Sequence, residues 1–214
     1  MPAITITRLF GTGGSEVARR VAEALQWRLL DSAFLEGMAR GLHATPTEMR
    51  AIDERAPSMA ERLADALALG GGEVVSASLA TPMPPTEQRI HEVTREVIFK
   101  AVARGPAVIV GRGAQAYLAQ RTDVLHVHCY APFEALVERT MMREGIDQEA
   151  ATKMVKAKNQ QREDYVKRMF GRAWLAPEHY HIMLNTAWLG HEQCVEIILD
   201  LARKKFSARP VTRA

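Results

Sequence analysis

With 214 residues, 47% hydrophobic and 25% charged, the chain has the size and composition of one ordinary α/β domain with room for a small helical insertion. A net charge of +3 suits phosphorylated small molecules and is too weak to argue for nucleic acid as a partner. Cys129 and Cys194 are the only cysteines, with neither disulfide-framework nor metal-ligand spacing, and no stretch reads as a signal peptide or a membrane span, so a cytoplasmic protein with no membrane partner is expected.

Residues 3–7 read as a strand, and Gly11, Gly13 and Gly14 follow within a few positions. A helix over 14–26 then carries Val17, Val21, Ala24 and Leu25 on one face. Strand, glycine loop and helix N-terminus together make a site for an anion, because unpaired N–H groups and the positive end of the helix dipole meet there. Gly11, Thr12, Gly13, Gly14, Ser15 and Glu16 are the candidate binding residues. The stretch departs from a standard phosphate loop, since Gly14 stands where G-x-x-x-x-G-K-S/T has its lysine. The dinucleotide fingerprint G-x-G-x-x-G fits Gly11 and Gly13 and fails at Glu16, although Asp31 lies where a ribose-binding acid would stand. Phosphate loop, dinucleotide loop and plain glycine turn therefore all stay open at this point.

A short strand over 27–30 ends at Asp31-Ser32, either of which caps a helix over 33–42. Two further helical patterns occupy 46–69, and 73–85, with Pro82, Pro84 and Pro85, reads as a loop or hinge. The pattern then clears: helix 87–103, strand 106–110, Gly111-Arg112-Gly113, strand 124–130, and a helix opened by Pro132. A long helical segment covers 147–169, the last strand is 182–184, and a closing helix spans 190–205. The expected fold is thus three-layer α/β, with five parallel strands flanked by helices and right-handed crossovers. Residues 1–206 form one domain, 32–86 its acceptor-side helical region, 147–176 a lid-like segment and 207–214 a tail. Ligands bind beyond the carboxyl ends of such strands, where the glycine loop, Asp31 and Arg112 all fall.

Lys153, Lys156, Lys158, Arg162, Lys167, Arg168 and Arg172 crowd residues 153–172 against only Glu163 and Asp164. A solvated helix face explains such a run, and so does a lid carrying guanidinium groups to a transferring phosphoryl group. His126 and His128 share a strand face, and 178–181 reads Glu-His-Tyr-His. Neither group has a third ligand at metal spacing, so no side-chain metal cluster is expected.

In this order the segments resemble the cytidylate kinase-like family of nucleoside-monophosphate kinases. The resemblance rests on 21–32, on Val110-Gly111-Arg112-Gly113, on Tyr130-Ala131-Pro132 through Arg139, and on Leu184-Asn185-Thr186 through Gln193. It implies phosphate-loop topology, ATP and Mg²⁺ as cofactors, nucleotide substrates, and phosphoryl transfer to CMP or dCMP. Gly11 to Glu16 would hold the donor phosphates, with Ser15 assisting a nucleotide-borne Mg²⁺, and Asp31 and Arg112 would face the acceptor. Arg139, Arg162 and Arg168 would be the catalytic cations. Gly14 for lysine, Glu16 for threonine and Gly113 for aspartate are the departures, and Arg8 and Arg19 are the candidates to replace the lysine's charge. The alternatives are a kinase-derived nucleotide sensor that catalyses little, a kinase of another small acceptor, and a dinucleotide-binding oxidoreductase. The oligomeric state is open, a homodimer included.

Overall fold

The computed structural model describes residues 1–31 and 87–207. The helices expected over 33–42 and 46–69, the 73–85 loop and the tail lie outside the described residues. Within them the chain runs β1 (Ala3–Arg8), α1 (Gly14–Leu25), β2 (Arg28–Leu30), α2 (Glu87–Ala103), β3 (Ala107–Val110) and α3 (Ala114–Tyr117). It continues through β4 (Val124–Tyr130), α4 (Phe133–Glu144), α5 (Gln148–Phe170), a 3₁₀ turn at Pro177–His179, β5 (Ile182–Asn185) and α6 (Thr186–Ser207).

All strand pairs are parallel, in the order β2-β3-β1-β4-β5. The five-stranded parallel sheet flanked by helices is the fold that the alternating pattern predicts. The order places β3 between β2 and β1, unlike the 3-2-1-4-5-6 order of dinucleotide folds, which removes the structural basis of the oxidoreductase alternative.

Continuous apolar strands are explained by burial on both faces. On one face Ala3, Ala107 and Ile109 pack with Val97, Ile98 and Ala101 of α2. On the other, Ile4, Ile6, Val108 and Val127 meet Val17 and Val21 of α1 and Cys194 and Ile198 of α6. Each fully buried valine or isoleucine among them contributes about 1.5–3 kcal/mol. A smaller cluster, Leu136, Val137, Ala151 and Val155, joins α4 to α5.

Two local features go beyond the expected pattern. Gly111, Arg112 and Gly113 are successively left-handed at φ 68°, 61° and 65°, and the four-residue α3 follows directly. In α6, Gly190 has φ 73° and ψ 170°, which breaks the helix before His191.

The layering also fixes where a ligand can sit. β1 runs on into α1 over one face, whereas β3 runs on into α3 over the other. A crevice opens where adjacent strands diverge in this way.

Candidate functional site

The loop from Leu9 to Gly13 joins β1 to α1, and Gly13 caps the helix in the left-handed region at φ 73°. Gly14 packs so closely that a Cβ there would lie 2.7 Å from Cβ of Arg8. The Thr12 hydroxyl donates to the Leu9 carbonyl at 2.8 Å and accepts from the Gly14 N–H at 3.2 Å. Glu16 and Val17 donate their N–H groups to the Gly13 carbonyl. The N–H groups of Gly11, Gly13 and Ser15 find no acceptor among the described residues. Unpaired donors at the start of a helix are what an anion site needs. Ser15 itself is exposed.

Four side chains hold this loop from outside. Arg139 of α4 donates to the Thr12 carbonyl at 2.7 Å, and to the hydroxyl and carbonyl of Thr186 at 3.2 and 3.1 Å. His191 of α6 bonds the same Thr12 carbonyl at 3.1 Å. Asn159 of α5 accepts the Phe10 N–H at 2.7 Å. Arg162 of α5, buried, donates to the Arg8 carbonyl at 2.8 Å. Arg143 and Arg162 also stand over the Phe10 ring, at 4.8 and 5.8 Å. α5 is therefore fastened to the loop, and its own start is capped by the Asp147 carboxylate accepting from Ala150.

Glu16 does not leave a bare negative charge beside the nest. Hydrogen bonds from Arg19 and then Arg20 hold its carboxyl well below the usual range, at about 2. Arg19 also pairs with Glu23 and is exposed on α1, so its charge balances two carboxylates.

Beyond the carboxyl ends of β1 and β3 lies a small cleft. Its cations are Arg8, Arg162 and Arg172, and its floor includes Gly113 and Gln115. No carboxylate lines it among the described residues. Arg8 is nearly buried, at 5% exposure. Arg172 donates to the Gln115 side-chain carbonyl at 3.0 Å, and the Gln115 amide donates to the His179 carbonyl at 2.7 Å. Burial lowers the Arg172 pKa, and its Nε has no hydrogen-bond partner. Half-buried and with its Nε unpaired, that guanidinium is suited to an anion.

Sequence reasoning counted Arg172 in the basic run without giving it a site role, because it stands past the helix-ending Gly171. The structure brings Arg8, Arg162 and Arg172 together, and gathers Arg139 to the glycine loop. It leaves Arg168 exposed on α5, Asp31 half-buried beyond β2, and Arg112 wholly buried beside the cleft.

Behind the cleft, the Thr5 and Thr7 hydroxyls of β1 bond Nδ1 of His126 and His128 of β4 at 2.8 and 2.7 Å. Parallel register sets these pairs opposite one another. His128 also meets the rings of Trp174 and Tyr180, which line the cleft. Burial pushes both imidazoles down to about 4. At the far edge Asn185 caps the Ala187 and Trp188 N–H groups, and the Trp188 indole stands 82% exposed.

Among the described residues no group of three or more His, Cys, Asp or Glu could hold a metal, and no helix is long and apolar enough to cross a membrane. A divalent ion carried by a nucleotide at this loop would have the exposed Ser15 hydroxyl within the same segment. The unpaired N–H groups and the neutralised Glu16 fit nucleotide phosphates.

Comparison with known proteins identifies the fold and the family. A solved structure of an uncharacterized protein from Eubacterium ventriosum superposes with a TM-score of 0.68 at 20% identity, covering 94% of this chain and 98% of that one. A gluconokinase from Sinorhizobium meliloti superposes at 0.51 with 13% identity, covering 97% and 98%. A curated relative, the uronate isomerase of Corynebacterium glutamicum, is 24% identical over 140 residues, or 65% of this chain. The match spans only 27% of that relative's length. The model of the cytidylate kinase-like family matches residues 3–187, and the chain belongs to that family.

Proposed function

We propose that this member of the cytidylate kinase-like family transfers the γ-phosphoryl group of ATP to a nucleoside monophosphate, CMP or dCMP first. The observation that carries the reading is the three-arginine cleft, free of carboxylates among its described lining, beside a loop with unpaired N–H donors. Phosphoryl transfer is mostly positioning and charge stabilisation, which this arrangement is built to supply. The Gly11, Gly13 and Ser15 N–H groups bind donor phosphate oxygens. Arg172 and Arg8 orient the acceptor's phosphate, and Arg162 adds charge from the lid. Bound Mg²⁺ would screen the phosphate charges. Closure of α5 over Phe10 excludes water from the reacting groups.

A second reading has its own observation. Two of the three candidate catalytic cations, Arg139 and Arg162, already donate to backbone carbonyls. That favours a nucleotide sensor with little turnover. A coupled ADP-release assay with ATP and Mg²⁺, screening CMP, dCMP, UMP, AMP and GMP, separates the two. Acceptor-dependent turnover that falls in Arg172→Gln supports the kinase. Nucleotide binding without turnover on any acceptor overturns it in favour of the sensor.

A further inference from the structure

We infer that His191 is a positioning residue that aims the Gly13 N–H at the donor phosphates. The inference rests on the reading of the glycine loop as their site. A carbonyl oxygen only accepts, so the 3.1 Å contact from His191 to Thr12 places the ring proton on Nε2. Arg139 reaches the same oxygen at 2.7 Å, so both of its lone pairs are engaged. The peptide between Thr12 and Gly13 is planar and trans. Fixing its carbonyl on one side therefore turns the Gly13 N–H to the opposite side. That N–H has no acceptor among the described residues.

The ring is itself firmly placed. A Cβ on Gly13 would lie 2.1 Å from the His191 Nε2, so imidazole and glycine backbone are in direct contact. The break at Gly190 lets His191 begin a fresh run of helix, whose Cys194, Val195 and Ile198 are embedded in the core. Gly14 brings no cation to the loop, so the direction of its backbone donors governs how well it holds an anion. His191 and Arg139 set that direction from behind without touching the ligand.

The test is calorimetric titration of wild type, His191→Gln and His191→Phe with tripolyphosphate and with Mg-ATP, alongside melting curves. A glutamine amide can donate from nearly the position of Nε2, whereas phenylalanine cannot. Loss of one orienting hydrogen bond predicts roughly tenfold weaker binding of both ligands by His191→Phe, with His191→Gln within about threefold of wild type. In the kinase assay, His191→Phe raises KM for ATP and leaves KM for the acceptor in place. Unchanged tripolyphosphate affinity in His191→Phe overturns the inference alone. So does an equal loss in His191→Gln, which would assign the effect to ring packing. If wild type binds neither ligand, the loop reading fails and the inference falls with it.

Discussion

Arg139 makes three hydrogen bonds, two to backbone carbonyls and one to a hydroxyl, and so ties α4 and α6 to the glycine loop. Charged hydrogen bonds are worth about 1.5–3 kcal/mol where an acceptor is left unsatisfied. Arg139→Ala is expected to lose stability in that range by urea denaturation, and to bind ATP more weakly. Arg139→Lys recovers little, because an ammonium cannot span Thr12 and Thr186 as a planar fork does. Gly13→Ala meets two obstacles, the left-handed φ of 73° and the His191 ring. The expected result is a folded protein by circular dichroism with no measurable tripolyphosphate binding. Retained binding would show that the loop tolerates reorientation. None of these ties is legible in the sequence. Carbonyls carry no side-chain signature, and His191 stands 179 residues from its partner Thr12. Arg172 is hidden for a related reason, since only the fold brings it to Gln115, 57 residues away.

At the scale of elements, α5 depends on two attachments of different kinds. Its start is capped by Asp147, and its middle is attached to the loop through Asn159 and Arg162. Asn159→Ala removes the acceptor of the Phe10 N–H and weakens that attachment. Hydrogen exchange at the Phe10 amide is expected to quicken at least about tenfold, with the core strands unchanged. Equal protection in wild type and variant would mean that Asn159 contributes nothing to closure. The element boundaries were readable where a hydrophobic period runs long enough. Helix 87–103 and strand 124–130 match their observed spans, and α5 begins and ends within a residue of expectation. α3 escaped because four residues cannot display a period, and because its direction is set by three left-handed residues before it. The start of α6 at Thr186 escaped because the break at Gly190 interrupts its pattern.

Across the whole molecule, the two-sided sheet explains both the rigidity of the site and its sensitivity to acid. His126 and His128 are buried in the sheet, bonded to Thr5 and Thr7, with pKa values lowered to about 4 from the ordinary 6.5. The folded state thus binds fewer protons than the unfolded chain between those values. The stability they confer is complete above pH 6.5 and is lost as pH falls toward 4. Each imidazole contributes a slope of up to about 1.4 kcal/mol per pH unit in that window. Denaturation free energies across the window should fall steeply in wild type and less steeply in His128→Leu. A flat wild-type profile would refute the burial of neutral imidazoles. The architecture as a whole was the most legible level, since apolar runs alternating with amphipathic helices admit few packings. Strand order was not, because the same alternation fits a sheet with β1 beside β2.

The tryptophans give the molecule its own optical labels. Trp188 stands 82% exposed just beyond β5, whereas Trp174 is buried at 5% exposure against His128. An indole in water emits at longer wavelength than one in a protein interior, so Trp188 weights the red edge and Trp174 the blue, with Trp27, half-buried against Phe206, between them. Occupation of the cleft, which Trp174 lines, should register in the blue component. Charging of the imidazole beside Trp174 should quench the blue one. A single emission scan can therefore follow events at the cleft against the exposed indole as an internal reference, without any dye attached.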